Sequence, residues 1–283
     1  MELGIFAKTF PDIGATESLE AVRHAGFTTA QFNFACVGMP SMPDRIDEEI
    51  VARIRAASLA SGVSIAAISG TYNMAHPDAA VRQKGMARLS AMIESAHAMG
   101  TRLVTLSTGS RDPHDQWKFH ADNTTPEAWR DLLGEMELAV TLAEQHDVDL
   151  GVEPELANVV ASAGDAVRLI ETLKSERIKI VMDPANLFER GSSGERRDTI
   201  ERAVAMLAGR ITMAHAKDRT EDGGFIAAGS GVIDFRHFVA TLRSNGFTGP
   251  LVTHGLAADE APTVAAFLRG VLDEQGLRGH DDD

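Results

Sequence analysis

Short apolar runs alternate with longer segments of helical spacing from one end of the chain to the other. The first run, 3–7, precedes helical spacing over 16–25 with Gly26 as a stop, which reads as a strand and then a helix. The same pair recurs as strand 29–34 with helix 45–61, strand 63–69 with helix 79–99 stopped by Gly100, and strand 102–106 with helix 127–146. Strand 148–153 with helix 164–174 follows, then 178–183 with 197–207, 211–215 with 235–243, and 250–254 with 260–272. Units of this length imply an all-parallel sheet. In 283 residues, eight of them favour closure into a single (β/α)8 TIM barrel over an open doubly wound sheet. The barrel domain is expected to span 1–278, followed by an acidic tail without hydrophobic pattern over 279–283.

The ends of the later runs carry the chemistry. Glu153, Asp183, His215 and His254 each close an apolar run, on the fifth to the eighth predicted strand. In a closed parallel barrel all strand C-termini meet on one face, where active sites are built. Taken singly, such a carboxylate caps the next helix and such an imidazole is a satisfied core residue. Two carboxylates converging in one buried place repel one another, and a bound cation is the usual remedy. Carboxylate oxygen with imidazole nitrogen suits one divalent ion, and Mn, Co, Zn, Mg and Fe are not distinguished at this stage. Two connections on the same face, 107–126 and 217–234, are long and are expected to be lids.

Composition narrows the partners. The apolar fraction of 44% and charged fraction of 24% are those of a soluble globular protein. A formal net charge of −14 opposes binding to nucleic acid or an anionic membrane, so neither is expected as a partner. Cys36 is the only cysteine, which excludes an intrachain disulfide and a cysteine-rich zinc site and fits a cytoplasmic location. The first ten residues lack the pattern of a secretory signal, and no run approaches the roughly 20 apolar residues of a membrane span. Neither G-x-G-x-x-G after the first strand nor G-x-x-x-x-G-K-[ST] occurs, which weakens a nucleotide-binding reading. A homo-oligomer is left open.

Three of the four strand ends lie in recognisable motifs: Glu153 in Gly-Val-Glu-Pro-Glu, Asp183 in Met-Asp-Pro-Ala-Asn-Leu, and His215 in His-Ala-Lys-Asp. These resemble the ligand motifs of the xylose isomerase-like TIM-barrel superfamily, and Gly229–Asp234 is similar to the loop before the seventh helix there. That superfamily includes sugar and sugar-phosphate isomerases, ketose 3-epimerases, hydroxypyruvate isomerase, inosose dehydratase and endonuclease IV. The resemblance implies a second glutamate at the end of strand eight, where this chain has His254. Asn186 stands where some relatives carry a histidine.

The sequence-based expectation is therefore a metal-dependent isomerase or epimerase of a small sugar-like polyhydroxy carbonyl compound, working through an enediolate. Glu153, Asp183, His215 and His254 are the expected ligands, Glu153 or His254 the proton carrier, and Lys217 the partner of a developing oxyanion. His76, Arg111, Trp117, Asn186 and Glu155 are the candidate substrate contacts. Four of these have a structural alternative: a solvated loop residue for His76, a surface ion pair for Arg111, a loop anchor for Trp117, an ion pair for Glu155; for Lys217 with Asp218 the alternative is a brace of the loop. An inosose-type dehydratase and an inactive sugar-binding relative are the rival readings. Endonuclease IV-like cleavage fits poorly, since it needs several metals, more histidines and a basic face.

Overall fold

A computed structural model describes residues 1–10 and 13–276, so the acidic segment 279–283 lies outside the described residues. Eight parallel strands close into a barrel: β1 (Leu3–Phe6), β2 (Thr29–Phe32), β3 (Ser64–Ser69), β4 (Leu103–Ser107), β5 (Asp149–Glu153), β6 (Ile178–Met182), β7 (Ile211–Ala216) and β8 (Leu251–Thr253). Each strand pairs with its neighbours in sequence, and β1 pairs with β8 to complete the ring, with Gly4 opposite Val252. Eight helices form the outer layer: α1 (Ala15–His24), α2 (Glu48–Ser61), α3 (Ala79–Met99), α4 (Pro126–Gln145), α5 (Ala163–Leu173), α6 (Ser193–Met206), α7 (Phe235–Ser244) and α8 (Ala261–Glu274). This is the expected (β/α)8 barrel. Among the described residues no helix is long and apolar enough to cross a membrane.

Two apolar clusters separate the inside of the barrel from its coat. The small one, Ala67, Leu103, Val181, Met213 and Val252, fills the barrel centre. Gly151 belongs to the same layer, since a Cβ there would lie 2.9 Å from Val181 Cγ2 and 3.1 Å from Leu103 Cδ1. The large cluster packs the outer faces of the strands against the helices. Because side chains alternate across a strand, the residue two beyond an inward one also faces inward. Gly151, Val181, Met213 and Val252 therefore place Glu153, Asp183, His215 and His254 above the central plug at the barrel mouth. On β2 and β4 the same step carries Thr29 to Gln31 and Leu103 to Thr105.

Element boundaries differ from the sequence reading where capping chemistry decides. Helix α6 begins at Ser193, earlier than the expected 197, because Ser192 and Glu195 form a reciprocal capping box. Helix α2 begins at Glu48, after an extended Asp47 whose side chain pairs with Arg45 Nε at 2.6 Å and does not cap the helix.

The two long connections are pinned loops rather than open flaps. Loop 108–120 is held by Asn73, whose Nδ2 donates to the Ser110 carbonyl at 2.8 Å, and by Asn123, whose Oδ1 accepts from the Arg111 N–H at 2.7 Å. After β7, Asp218–Arg219 pairs antiparallel with Phe225–Ile226. The fully buried Asp218 carboxylate accepts from the N–H groups of Arg219, Gly229, Gly231 and Ile233 at 2.8–3.0 Å. Asp218→Ala leaves these donors without an acceptor and is expected to lower unfolding free energy by about 3 kcal/mol, measured by urea denaturation. An unchanged midpoint would show that the loop does not depend on this carboxylate.

Candidate metal centre

Glu153, Asp183, His215 and His254 each offer one ligand atom, and the four atoms lie within 4.8 Å of one another. His215 Nδ1 is 3.1 Å from Glu153 Oε1, and His254 Nε2 is 3.1 Å from Asp183 Oδ2. The two rings tilt against each other with centroids 4.4 Å apart. Asp183 also caps the turn Pro184–Asn186 through Oδ1, which accepts from the Ala185 N–H at 2.9 Å. Its other oxygen therefore faces the cluster. Lys217 Nζ approaches that oxygen to 3.3 Å, donates to Asn186 Oδ1 at 2.9 Å, and lies 4.0 Å from the Phe225 ring centroid. Asn186 in turn donates from Nδ2 to Glu153 Oε1 at 2.9 Å.

Gln31 decides the state of His215. Its Nε2 donates to Thr105 Oγ1 at 3.0 Å, which turns its carbonyl oxygen to His215 Nε2 at 2.8 Å. That ring nitrogen must then donate, so in the neutral imidazole Nδ1 carries the lone pair. A lone pair on Nδ1 faces a carboxylate oxygen at 3.1 Å, an arrangement that needs a proton or a cation between the two. A ring N–H donated outward to a carbonyl oxygen is also the usual support of a metal-binding imidazole. The donor set thus fits a divalent ion. The two carboxylate–imidazole pairs are each 3.1 Å apart and all four ligand atoms lie within 4.8 Å of one another, so one ion could engage the whole set. Gln31→Leu is expected to weaken ion affinity by about 10–100-fold, read by competition with a chromophoric chelator. Unaltered affinity would remove Gln31 from this role.

Electrostatics follow from burial and pairing. Burial pushes the Asp183 carboxyl up, but the Lys217 charge and the His254 hydrogen bond outweigh it and hold the group well below the usual carboxylate range. Burial also opposes ionisation of Glu153, and the charge and hydrogen bond of His215 bring it below its ordinary value. His254 is pushed down, first by burial and then by the charge of His215, which favours the neutral ring. Lys217 remains cationic: burial lowers its value, and the charges of Asp183, Glu153 and Glu155 raise it by more. Glu155 is pushed up to about 7, mainly by burial, with Lys217 opposing and the Glu153 and Asp183 charges adding to the rise.

The cluster opens into a cavity of about 440 Å3 whose walls include Glu155, Asn186, Lys217 and Trp117. Arg111 and His76, both expected as substrate contacts, are not among the lining residues of this cavity. The Arg111 guanidinium is buried against α4, 2.8 Å from Asp131, where a carboxylate neutralises it. His76 bridges its own loop and the one after β4, accepting from the Asp78 N–H through Nδ1 at 3.0 Å with Nε2 3.2 Å from the Pro113 carbonyl. Lining residues that the sequence reading missed include Gln31, Thr105, Asn33, Lys8 and Phe225. Gln31 had a usable signal as a long polar residue inside an apolar run.

Fold and site together define a parallel-barrel protein with a two-carboxylate, two-imidazole cluster at its mouth. The family model described as xylose isomerase-like TIM barrel matches residues 19–271, and the chain belongs to that family. L-ribulose-5-phosphate 3-epimerase UlaE of Shigella flexneri serotype 5b (strain 8401) is 27% identical over 260 residues, 88% of this chain and 84% of that protein. The solved structure of 3-keto-D-glucoside 4-epimerase YcjR from E. coli superposes with a TM-score of 0.76 at 16% identity, covering 95% of this chain and 99% of that one. An L-ribulose 3-epimerase structure gives a TM-score of 0.74 at 18% identity, covering 100% and 99%. These two likenesses concern the fold.

Proposed function

We propose that this protein is a divalent-metal-dependent epimerase or isomerase of a small sugar or related polyhydroxy carbonyl compound. The observation that carries this reading is the convergence of Glu153, Asp183, His215 and His254, whose ligand atoms lie within 4.8 Å of one another at the mouth of a cavity. The names of the relatives, sugar 3- and 4-epimerases, support the choice of chemistry.

Glu153, Asp183, His215 and His254 would hold the ion. When bound, the ion supplies Lewis acidity that polarises a substrate carbonyl and its neighbouring hydroxyl. Glu153 accepts the proton from the carbon next to the carbonyl, and the electron pair of that C–H bond passes into the enediolate. The Lys217 ammonium, fixed by Asp183 and Asn186, stabilises the developing negative charge on oxygen. Return of the proton to the adjacent carbon is isomerisation. Return from the opposite side of the substrate is epimerisation and needs a second group, for which His254 and Glu155 both line the cavity.

The test is proton exchange. Metal-loaded protein is incubated in D2O with L-ribulose, L-ribulose 5-phosphate, D-tagatose, D-fructose and a 3-keto-D-glucoside, and followed by proton NMR and chiral chromatography. Deuterium entering the carbon next to the carbonyl, together with an epimeric or isomeric product, is expected for at least one of them. Protein saturated with each of the five metals that leaves every compound unexchanged would overturn the reading.

A further inference from the structure

We infer that His254 makes this cluster a site for a nitrogen-preferring divalent ion, one that takes zinc, cobalt or iron(II) in preference to manganese and magnesium. The inference rests on the reading that the cluster holds an ion, and adds which class of ion these residues select. Magnesium and manganese favour carboxylate, carbonyl and water oxygen, whereas imidazole suits zinc and iron, and affinity for a nitrogen-containing site rises from manganese through iron to cobalt. Here half of the donor atoms are imidazole nitrogens, one from His215 and one from His254.

The oxygen side of the site is poor. Asp183 has Oδ1 engaged by the Ala185 N–H, and Glu153 Oε1 already accepts from Asn186. Each carboxylate thereby has fewer lone pairs left for an ion. Lys217 Nζ, 3.3 Å from Asp183 Oδ2, also cancels part of the negative charge that a hard cation would seek. Cations that want six oxygens find two carboxylates with partly occupied oxygens. The rings are better placed: with Gln31 accepting at His215 Nε2, Nδ1 of that ring faces the cluster, and His254 Nε2 sits 3.1 Å from Asp183 Oδ2. A carboxylate at 254 would change the set from two nitrogens and two oxygens to one nitrogen and three oxygens.

The experiment compares ion affinities, independently of turnover. Protein stripped with chelator is titrated with zinc, cobalt, manganese and magnesium against a chromophoric competitor, for the parent and for His254→Glu. Preference for zinc over manganese is expected to shrink by at least roughly tenfold in the variant, chiefly through tighter manganese binding. Parent and variant with the same zinc-to-manganese ratio would overturn the inference. A second measurement does not depend on the variant's folding. Parent protein loaded with copper(II) should show two imidazole nitrogens in its electron paramagnetic resonance hyperfine pattern. A single nitrogen beside tight binding would sink the selectivity inference and leave the metal-dependent reading standing. Failure of the parent to bind any of the ions would overturn both.

Discussion

Glu153→Gln is expected to reduce turnover by about 10³-fold or more, with the fold intact and with metal supplied at saturation. The amide keeps the shape of the carboxylate and one oxygen for an ion, and loses the basicity needed to accept a carbon-bound proton. The neighbours tolerate it: Asn186 still donates to the retained oxygen, and the apolar plug below is untouched. Far-ultraviolet circular dichroism and melting temperature check the fold, elemental analysis checks the ion, and loss of deuterium exchange reports the chemistry. A variant that binds the ion, melts like the parent and still exchanges at the parental rate would take Glu153 out of the proton-transfer role.

Lys217→Met is expected to lower kcat by about 10²–10³-fold and to change how stability depends on pH. In metal-free protein the Asp183 carboxyl, though raised by burial, is held low by Lys217 and by its hydrogen bond to His254. A depressed folded-state value stabilises the fold above the unfolded value of roughly 3.9, and that contribution is lost as pH falls through the folded one. For Lys217 the sign is opposite. Its raised value stabilises below the unfolded value of roughly 10.4, and that contribution is lost as pH rises through the folded one. The stability gap between parent and variant should therefore be widest near neutral pH and should narrow below about pH 4 and above about pH 10. Breaking a buried pair by removing one partner costs about 3–5 kcal/mol, so the gap near pH 7 is measurable by chelator-treated urea titration. A constant offset at every pH would mean that Lys217 contributes packing and not charge.

Both tests bear on an arrangement in which substitution at one position alters its neighbours. Lys217, Asn186 and Glu153 form a chain of polar contacts, with Asp183 and His254 joined to it through the ammonium. Double-variant measurements on Asn186 and Lys217 should be non-additive for that reason.

The sequence by itself determined the barrel and its four central residues. Strand periodicity is a local property, and each of Glu153, Asp183, His215 and His254 ends its own short apolar run, so neither needs knowledge of what lies across the molecule. Parity along a strand then fixes which side faces the mouth, and ring closure brings the four ends together whatever the loops do. The helix starts were legible too where capping residues are adjacent, as with Ser192 and Glu195, although hydrophobic spacing alone placed that helix late. Only the tertiary structure decided the partners. Gln31 and His215 are 184 residues apart, and their hydrogen bond exists because β2 and β7 present them across the same barrel interior. Arg111 belongs to the loop after β4, yet the carboxylate that neutralises its buried guanidinium is Asp131 on α4. Charges and hydrogen-bonding groups removed from water are governed by whichever partner folding brings within about 3 Å, and sequence order does not encode that distance.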